Sequence, residues 1–274
     1  MGPRSLNDAE AVKQQLAGKR KFADLHRATI DDIVDQEYRR HPAGRPAFDA
    51  ARKRLHRIRA DYLGPMPSKA LLAQVHTAID QKDTERVQQL CRQILTEHHS
   101  MKERLPFIED FYSTLWQLCG RPESIHDLAC AMHPFAWPWM GLSNGVQYFA
   151  YDNVRGHVDT VAAYLEAEAV AATVEWRDIL VDPPSNETDV ALFFKMYHCL
   201  EDRRSGAGRA LLEAIPAKKV AIALPTQTLA GRARNIADRH RPAIEALATE
   251  REWPVAIADF PNEQLIVVSK TPAG

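Results

Sequence analysis

The chain has 274 residues, 45% hydrophobic and 26% charged, which is enough apolar material for a sizeable core and excludes a disordered or fibrous protein. Its 35 basic and 36 acidic side chains leave a formal charge of -1, which excludes a surface that is positive all round. The balance is uneven: residues 1–63 carry 14 basic and 9 acidic groups, or +5, and the remainder 21 and 27, or -6, so a polyanion is expected on the N-terminal third.

Up to about residue 119 the apolar period is helical, broken by Pro/Gly punctuation at 41–46 and 64–67. Between these breaks Phe48, Ala51, Leu55, Ile58 and Tyr62 form one stripe, and Arg52, Lys53, Arg54, Arg57 and Arg59 fill much of the remaining circumference. That basic face suits either solvent or phosphate, and the spacing does not separate the two. Ser100 to Glu103 has the capping-box pattern, followed by Leu105, Ile108, Phe111, Leu115 and Leu118 at helical spacing, with Pro106 suited to a first turn.

After Gly120 short strands are expected at 124–128, 146–151, 173–176, 190–194 and 219–223, alternating with helices at 156–168, 203–215 and 232–250, the last interrupted near Pro242. This alternation predicts an α/β fold with a mostly parallel sheet. Segments 253–258 and 264–269 predict an antiparallel pair at its end. The expected division is a helical region over 1–105 and a Rossmann-like region over 106–274. No run approaches the ~20 apolar residues of a membrane helix, and the N-terminus has no apolar signal core, so a soluble cytoplasmic protein is expected. Cys91, Cys119, Cys130 and Cys199 lie far apart, and the eleven histidines lack ligand spacing, so neither disulfides nor a metal site is expected.

In such a sheet ligands sit beyond the carboxyl ends of the first strands. Asp127 lies in the first, Asp152 closes the second, and Asp178 follows the third. Asp residues are ordinary turn formers, but three in register suit the ribose and adenine of S-adenosylmethionine. The segment Ala129-Cys130-Ala131-Met132-His133-Pro134 has no glycine, which argues against a dinucleotide fingerprint. Lys195, directly after an apolar strand, fits either the functional edge of the sheet or a snorkelling surface lysine. Trp137 and Trp139 suit core packing or base stacking.

At these positions the chain resembles the aminoglycoside-resistance 16S rRNA methyltransferases that modify N7 of guanine 1405. The resemblance is carried by His98-His99-Ser100-Met101-Lys102-Glu103-Arg104-Leu105 (family pattern H-x-S-T-x-E-R-L) and by Asp127 to Pro134 (D-[IL]-[AG]-C-G-x-N-P). Phe193-Phe194-Lys195 with Leu200-Glu201, Leu224-Pro225-Thr226-Gln227-Thr228-Leu229, and Asn262-Glu263 follow in order. The resemblance implies a SAM-dependent Rossmann-like methyltransferase domain, a seven-stranded sheet with an antiparallel C-terminal strand, behind a helical region that docks on the 30S subunit. It implies S-adenosylmethionine as cofactor, with Arg104 on its carboxylate, Asp127 and the Ala129 to Ala131 backbone around its amino group, Asp152 on its ribose and Asp178 on its adenine. Lys195, Thr226 and Glu263 would lie near the target base, and Lys21, Arg52, Arg54, Arg232 and Arg234 would meet RNA. No membrane, no metal and a monomeric state are expected.

The chain departs from the family pattern in several places. Ala131 replaces glycine, where a methyl could crowd the cofactor if that position needs positive φ, and His133 replaces asparagine. Met101 and His198 also differ, and Asp31-Asp32 stands where a basic pair is usual, where it is expected to repel phosphate. A diverged homologue that binds SAM or RNA without this activity, or that methylates a different RNA, is the alternative.

Overall fold

The structure, a computed structural model, describes residues 6–62, 66–226 and 236–270. Arg232 and Arg234, and the side chains of Arg59, Tyr62 and Ser100, lie outside the described residues.

Five helices come first: α1 (Ala9–Ala17), α2 (Arg27–Arg40), α3 (Arg45–Tyr62), α4 (Lys69–Asp80) and α5 (Thr84–Glu97). Phe48, Ala51, Leu55 and Ile58 turn inward as their spacing predicts, packing on Val12, Leu16, Phe22 and Ile33 in a core belonging to α1–α3. By contrast, Leu71, Val75, Leu90 and Ile94 of α4 and α5 pack into the same core as the sheet. Ser100 does not cap the next main helix. It lies inside a four-residue helix, α6 (His99–Lys102), and α7 (Ile108–Cys119) begins only after a 3-10 turn containing Pro106.

Seven strands follow: β1 (Ser124–Leu128), β2 (Gln147–Asp152), β3 (Ala172–Trp176), β4 (Thr188–Phe194), β5 (Ala217–Pro225), β6 (Val255–Asp259) and β7 (Glu263–Ser269). They form one sheet in the order β3-β2-β1-β4-β5-β7-β6, parallel except for β7, which pairs antiparallel with both neighbours. The expected fold class and every expected strand are present. The order reverses at β1, so β1 and β4 leave a crevice at their carboxyl ends, where an α/β sheet takes its ligand.

The helices among the strands are α8 (Trp137–Met140), α9 (Arg155–Ala167), α10 (Tyr197–Arg203), α11 (Ala207–Ala214) and α12 (Ile236–Glu250). Two expectations are corrected. The helix expected over 203–215 begins only after Gly206, whose φ of +80° no helix accommodates, an unexpected helix, α10, ends at Arg203, and Glu201 accepts from the backbone N–H of Gly206, Gly208 and Arg209 between the two. Conversely, α12 runs unbroken through Pro242, because the proline faces solvent and water can replace its missing hydrogen bond. Trp137 and Trp139 are each 6% exposed, so both are core. No described helix is long and apolar enough to cross a membrane.

Candidate active site

β1 hands over to a turn in which Ala129 and Ala131 have φ of +52° and +44°, left-handed backbone that costs a residue with a Cβ about 1 kcal/mol. Two bonds hold the turn: Cys130 N–H donates to Tyr151 O at 2.8 Å, and Ala131 N–H to Asp152 Oδ2 at 2.9 Å. Asp152 thus ties the ends of β1 and β2 together. Its Oδ1 also accepts from Val154 N at 2.8 Å and meets His157 Nδ1 at 3.2 Å. If His157 donates there through Nδ1, its buried Nε2 keeps a lone pair with no protein partner, an acceptor suited to a ligand hydroxyl such as those of a ribose. Since Ala131 needs positive φ, Ala131→Gly is expected to raise stability by up to about 1 kcal/mol in thermal unfolding. A lower melting temperature would contradict this reading of the turn.

On the other side of β1, Asp127 Oδ2 accepts from Tyr148 Oη at 2.6 Å and from His133 Nδ1 at 2.7 Å. His133 Nε2 lies 2.7 Å from Tyr112 Oη. Tyr112 comes from α7, whose buried stripe also carries Ile108, Phe111 and Leu115. Beyond it, Arg104 forms a two-pronged pair with Glu263, Nε to Oε1 and Nη2 to Oε2, both at 2.7 Å. Its guanidinium lies 3.9 Å from the Phe111 ring centre and 4.6 Å from that of Phe194. Burial alone would raise the Glu263 carboxyl, but Arg104 more than offsets it and holds the group below the usual carboxylate range.

Lys195 closes this end of the sheet with φ of +51°, its ammonium 2.7 Å from Glu103 Oε2 and its side chain only 7% exposed, so it is a residue of the sheet's edge, not of the open surface. Thr226 N–H donates to Asn262 O at 3.0 Å, and Asn262 Nδ2 to Glu103 O at 2.8 Å. Arg104, Lys195, Thr226 and Glu263 therefore do converge. Glu263, however, is expected beside the target base and is instead fully buried with both oxygens on Arg104. His198 is pushed down to about 4 by burial and then by His240, which makes it a neutral ring in α10.

The third acid is also corrected. Asp178 is buried at 2% exposure, with Oδ1 accepting from Leu180 N at 3.0 Å and Oδ2 meeting Thr29 Oγ1 at 2.5 Å and Arg203 Nη1 at 2.7 Å. α2 thus seats on the carboxylate expected to receive adenine. Arg203 reaches on to Asp32 Oδ2 at 2.7 Å, and Asp31 pairs with Arg27 one turn away at 2.7 Å. The acidic pair expected to repel phosphate is therefore neutralised within the protein. Burial would raise Asp32, but Arg203, with the Gln36 bond and the Arg204 charge, more than offsets it and lowers the group. Backbone bonds lace the same region: His26 N–H to Asn153 O at 2.7 Å and Arg155 N–H to Asp24 O at 2.8 Å.

Of the described residues expected to meet RNA, Arg54 is removed. It is turned inward, 2.5 Å from Glu37 and bonded to the Arg203 carbonyl. Lys21 and Arg52 remain at the surface with Lys19, whose ammonium is pushed down first by partial burial and then by the Lys21 and Arg52 charges, so three cations converge there. Arg54→Ala is expected to lower the melting temperature, whereas Lys21→Ala with Arg52→Ala leaves it unchanged and flattens the salt dependence of binding to ribosomal subunits by about one unit for each phosphate no longer neutralised. Equal melting shifts in both variants would contradict this division.

The model of the ribosomal RNA methyltransferase (FmrO) family matches residues 18–268. The chain belongs to this family. Among named relatives, a 16S rRNA (guanine(1405)-N(7))-methyltransferase of Micromonospora echinospora is 30% identical over 264 residues, covering 95% of this chain and 96% of that protein. One of Serratia marcescens is 29% identical over 231 residues, covering 84% and 86%. In fold, the 16S rRNA methylase RmtB superposes with a TM-score of 0.75 at 22% identity, over 97% of this chain and 99% of that one. The 16S rRNA methyltransferase RmtF, in complex with S-adenosyl-L-homocysteine, gives 0.75 at 23%, over 96% and 98%.

At this candidate site, sequence reasoning misses Tyr112, Tyr148, His157, Thr29 and Arg203. Tyr112 follows Phe111 and stands four residues after Ile108, so a wider reading of the same stripe places it inward. The partners of Arg203 lie 171 and 25 positions away, and no local pattern signals them.

Proposed function

We propose that the protein transfers the methyl group of S-adenosylmethionine to N7 of guanine 1405 of 16S rRNA in the 30S subunit, and so protects its host from aminoglycosides that bind there. Carrying this reading is the meeting of Arg104 and Glu263, from two motifs 159 positions apart, in one buried pair beside Asp127 and Lys195. The residues fit the cofactor: the left-handed turn at 129–131 presents backbone, Asp152 anchors it, and the partnerless His157 Nε2 offers an acceptor for a ribose hydroxyl.

S-adenosylmethionine supplies an electrophilic sulfonium methyl. The chain's own residues have a positional task, because guanine N7 carries a lone pair and no proton, so no general base is needed. Arg104 offers its remaining guanidinium edge to the cofactor carboxylate while Glu263 fixes the other edge, and Asp127 and the 129–131 backbone hold the amino group. Lys195 and Thr226, on adjacent strand ends, flank the flipped-out base. The N-terminal helices α1 to α3 dock the monomer on the subunit through the Lys19, Lys21 and Arg52 cluster, which agrees with the +5 charge of residues 1–63. Incubation with radiolabelled SAM and intact 30S subunits tests the activity: label in 16S rRNA is expected, and label confined to another RNA would favour a changed target.

A further inference from the structure

The four side chains Tyr148, Asp127, His133 and Tyr112 form one buried chain of hydrogen bonds, and the equally buried Arg104 lies beside it across the Phe194 ring that packs on both His133 and the guanidinium. Its proton order follows from chemistry. An arginine can only donate, so the cationic Arg104 beside Tyr112 favours the phenol oxygen, not its proton, on that side. Burial pushes the Tyr112 phenol up despite Arg104, so the phenol keeps its proton and has it free to donate to His133 Nε2. The ring then carries its own proton on Nδ1 and donates to Asp127, which also receives the Tyr148 hydroxyl on the same Oδ2. All three bonds point toward Asp127.

From this geometry we infer that Tyr112 and His133 are positioning residues that lock the Asp127 carboxylate and the Arg104 guanidinium into one register, so that the two ends of an amino-acid zwitterion, the methionine end of the cofactor, are recognised as a unit. The inference rests on the cofactor placement proposed above. His133 is the residue that joins the two halves, because an imidazole presents a donor and an acceptor on opposite sides of one rigid ring. An asparagine, as in the family pattern, keeps the donor toward Asp127 but is too short to reach Tyr112. The same packing fixes the ring from the side: Phe194 and His133 stand T-shaped with centroids 5.1 Å apart, and Phe194 also lies against the Arg104 guanidinium. Displacing either charged group therefore moves the other.

A thermodynamic cycle on the full-length protein tests this, with S-adenosylhomocysteine as the calorimetric probe and thermal unfolding as the fold control. Tyr112→Phe and His133→Asn each delete the link between the halves and are each expected to weaken binding about threefold to tenfold. The double variant is expected to bind about as well as the weaker single one, because both changes break the same bond. Tyr164→Phe provides the structural control: it removes another buried hydroxyl, one that bonds Cys91 outside this chain, and is expected to lower the melting temperature without changing affinity. Losses that multiply in the double variant, or a Tyr164→Phe affinity loss equal to that of Tyr112→Phe, would overturn the inference and leave the cofactor placement standing. Absence of binding by the wild-type protein would overturn both.

Discussion

Glu263→Ala is expected to destabilise the protein by about 3–5 kcal/mol, because it leaves the Arg104 guanidinium buried at 1% exposure without a counter-charge. The Phe111 and Phe194 rings against that guanidinium cannot replace a carboxylate. Denaturant unfolding measures the loss, and Glu263→Gln, which keeps an acceptor but not the charge, is expected to fall between. The pH dependence follows from the same pair. Arg104 holds the folded-state carboxyl below its unfolded value of about 4.3, so the stabilisation is complete above that value and disappears as pH falls through the lower folded-state value. Wild type is therefore expected to lose stability more steeply than Glu263→Gln below about pH 4. Parallel curves would show that the pair contributes little.

Arg203→Met is expected to cost a similar ~3–5 kcal/mol and to act at a distance from the strand ends that hold Arg104. Arg203 is the shared partner of the half-buried Asp32 on α2 and the buried Asp178 after β3, so its loss takes the counter-charge from two carboxylates at the seam between the N-terminal helices and the sheet. Without the guanidinium, burial is left to raise the Asp32 carboxyl, which makes the folded state increasingly unfavourable as pH rises. The deficit against wild type is therefore expected to be larger at pH 8 than at pH 4, the opposite sign to that of the Glu263 pair. Limited proteolysis is expected to release the N-terminal helices first. A pH-independent deficit would mean that lost packing, not stranded charge, dominates.

Much of the fold is legible from local pattern because its strands are short apolar runs ending in recognisable turns, and β1 to β5 and the β6–β7 pair fall where alternation places them. The misplaced helix boundaries have local causes that compete with periodicity. Gly206 breaks an otherwise helical run with positive φ, whereas Pro242 sits on a solvent-facing side where helix continuity survives it. The site is legible only as far as its motifs. Arg104, Asp127, Lys195, Thr226 and Glu263 are marked by the family patterns, and they converge. What a motif does not state is which partner a charge takes: Glu263 turns to Arg104, Asp178 to Arg203 and Thr29, and Arg54 to Glu37. Each of these pairs joins distant positions and is decided by burial, since a charge removed from water must find its counter-charge inside. For the same reason Asp31 and Asp32 read as repulsive in one dimension and are compensated in three.

The position and chemistry of the transferred methyl group decide whether the proposed function holds. Purified protein is incubated with S-adenosylmethionine and intact 30S subunits, the 16S rRNA is cleaved at N7-methylguanine by borohydride reduction and aniline, and the break is mapped by primer extension. One new break is expected, at guanine 1405. Labelled subunits with no break there, or a break at another guanine, would contradict the proposed function.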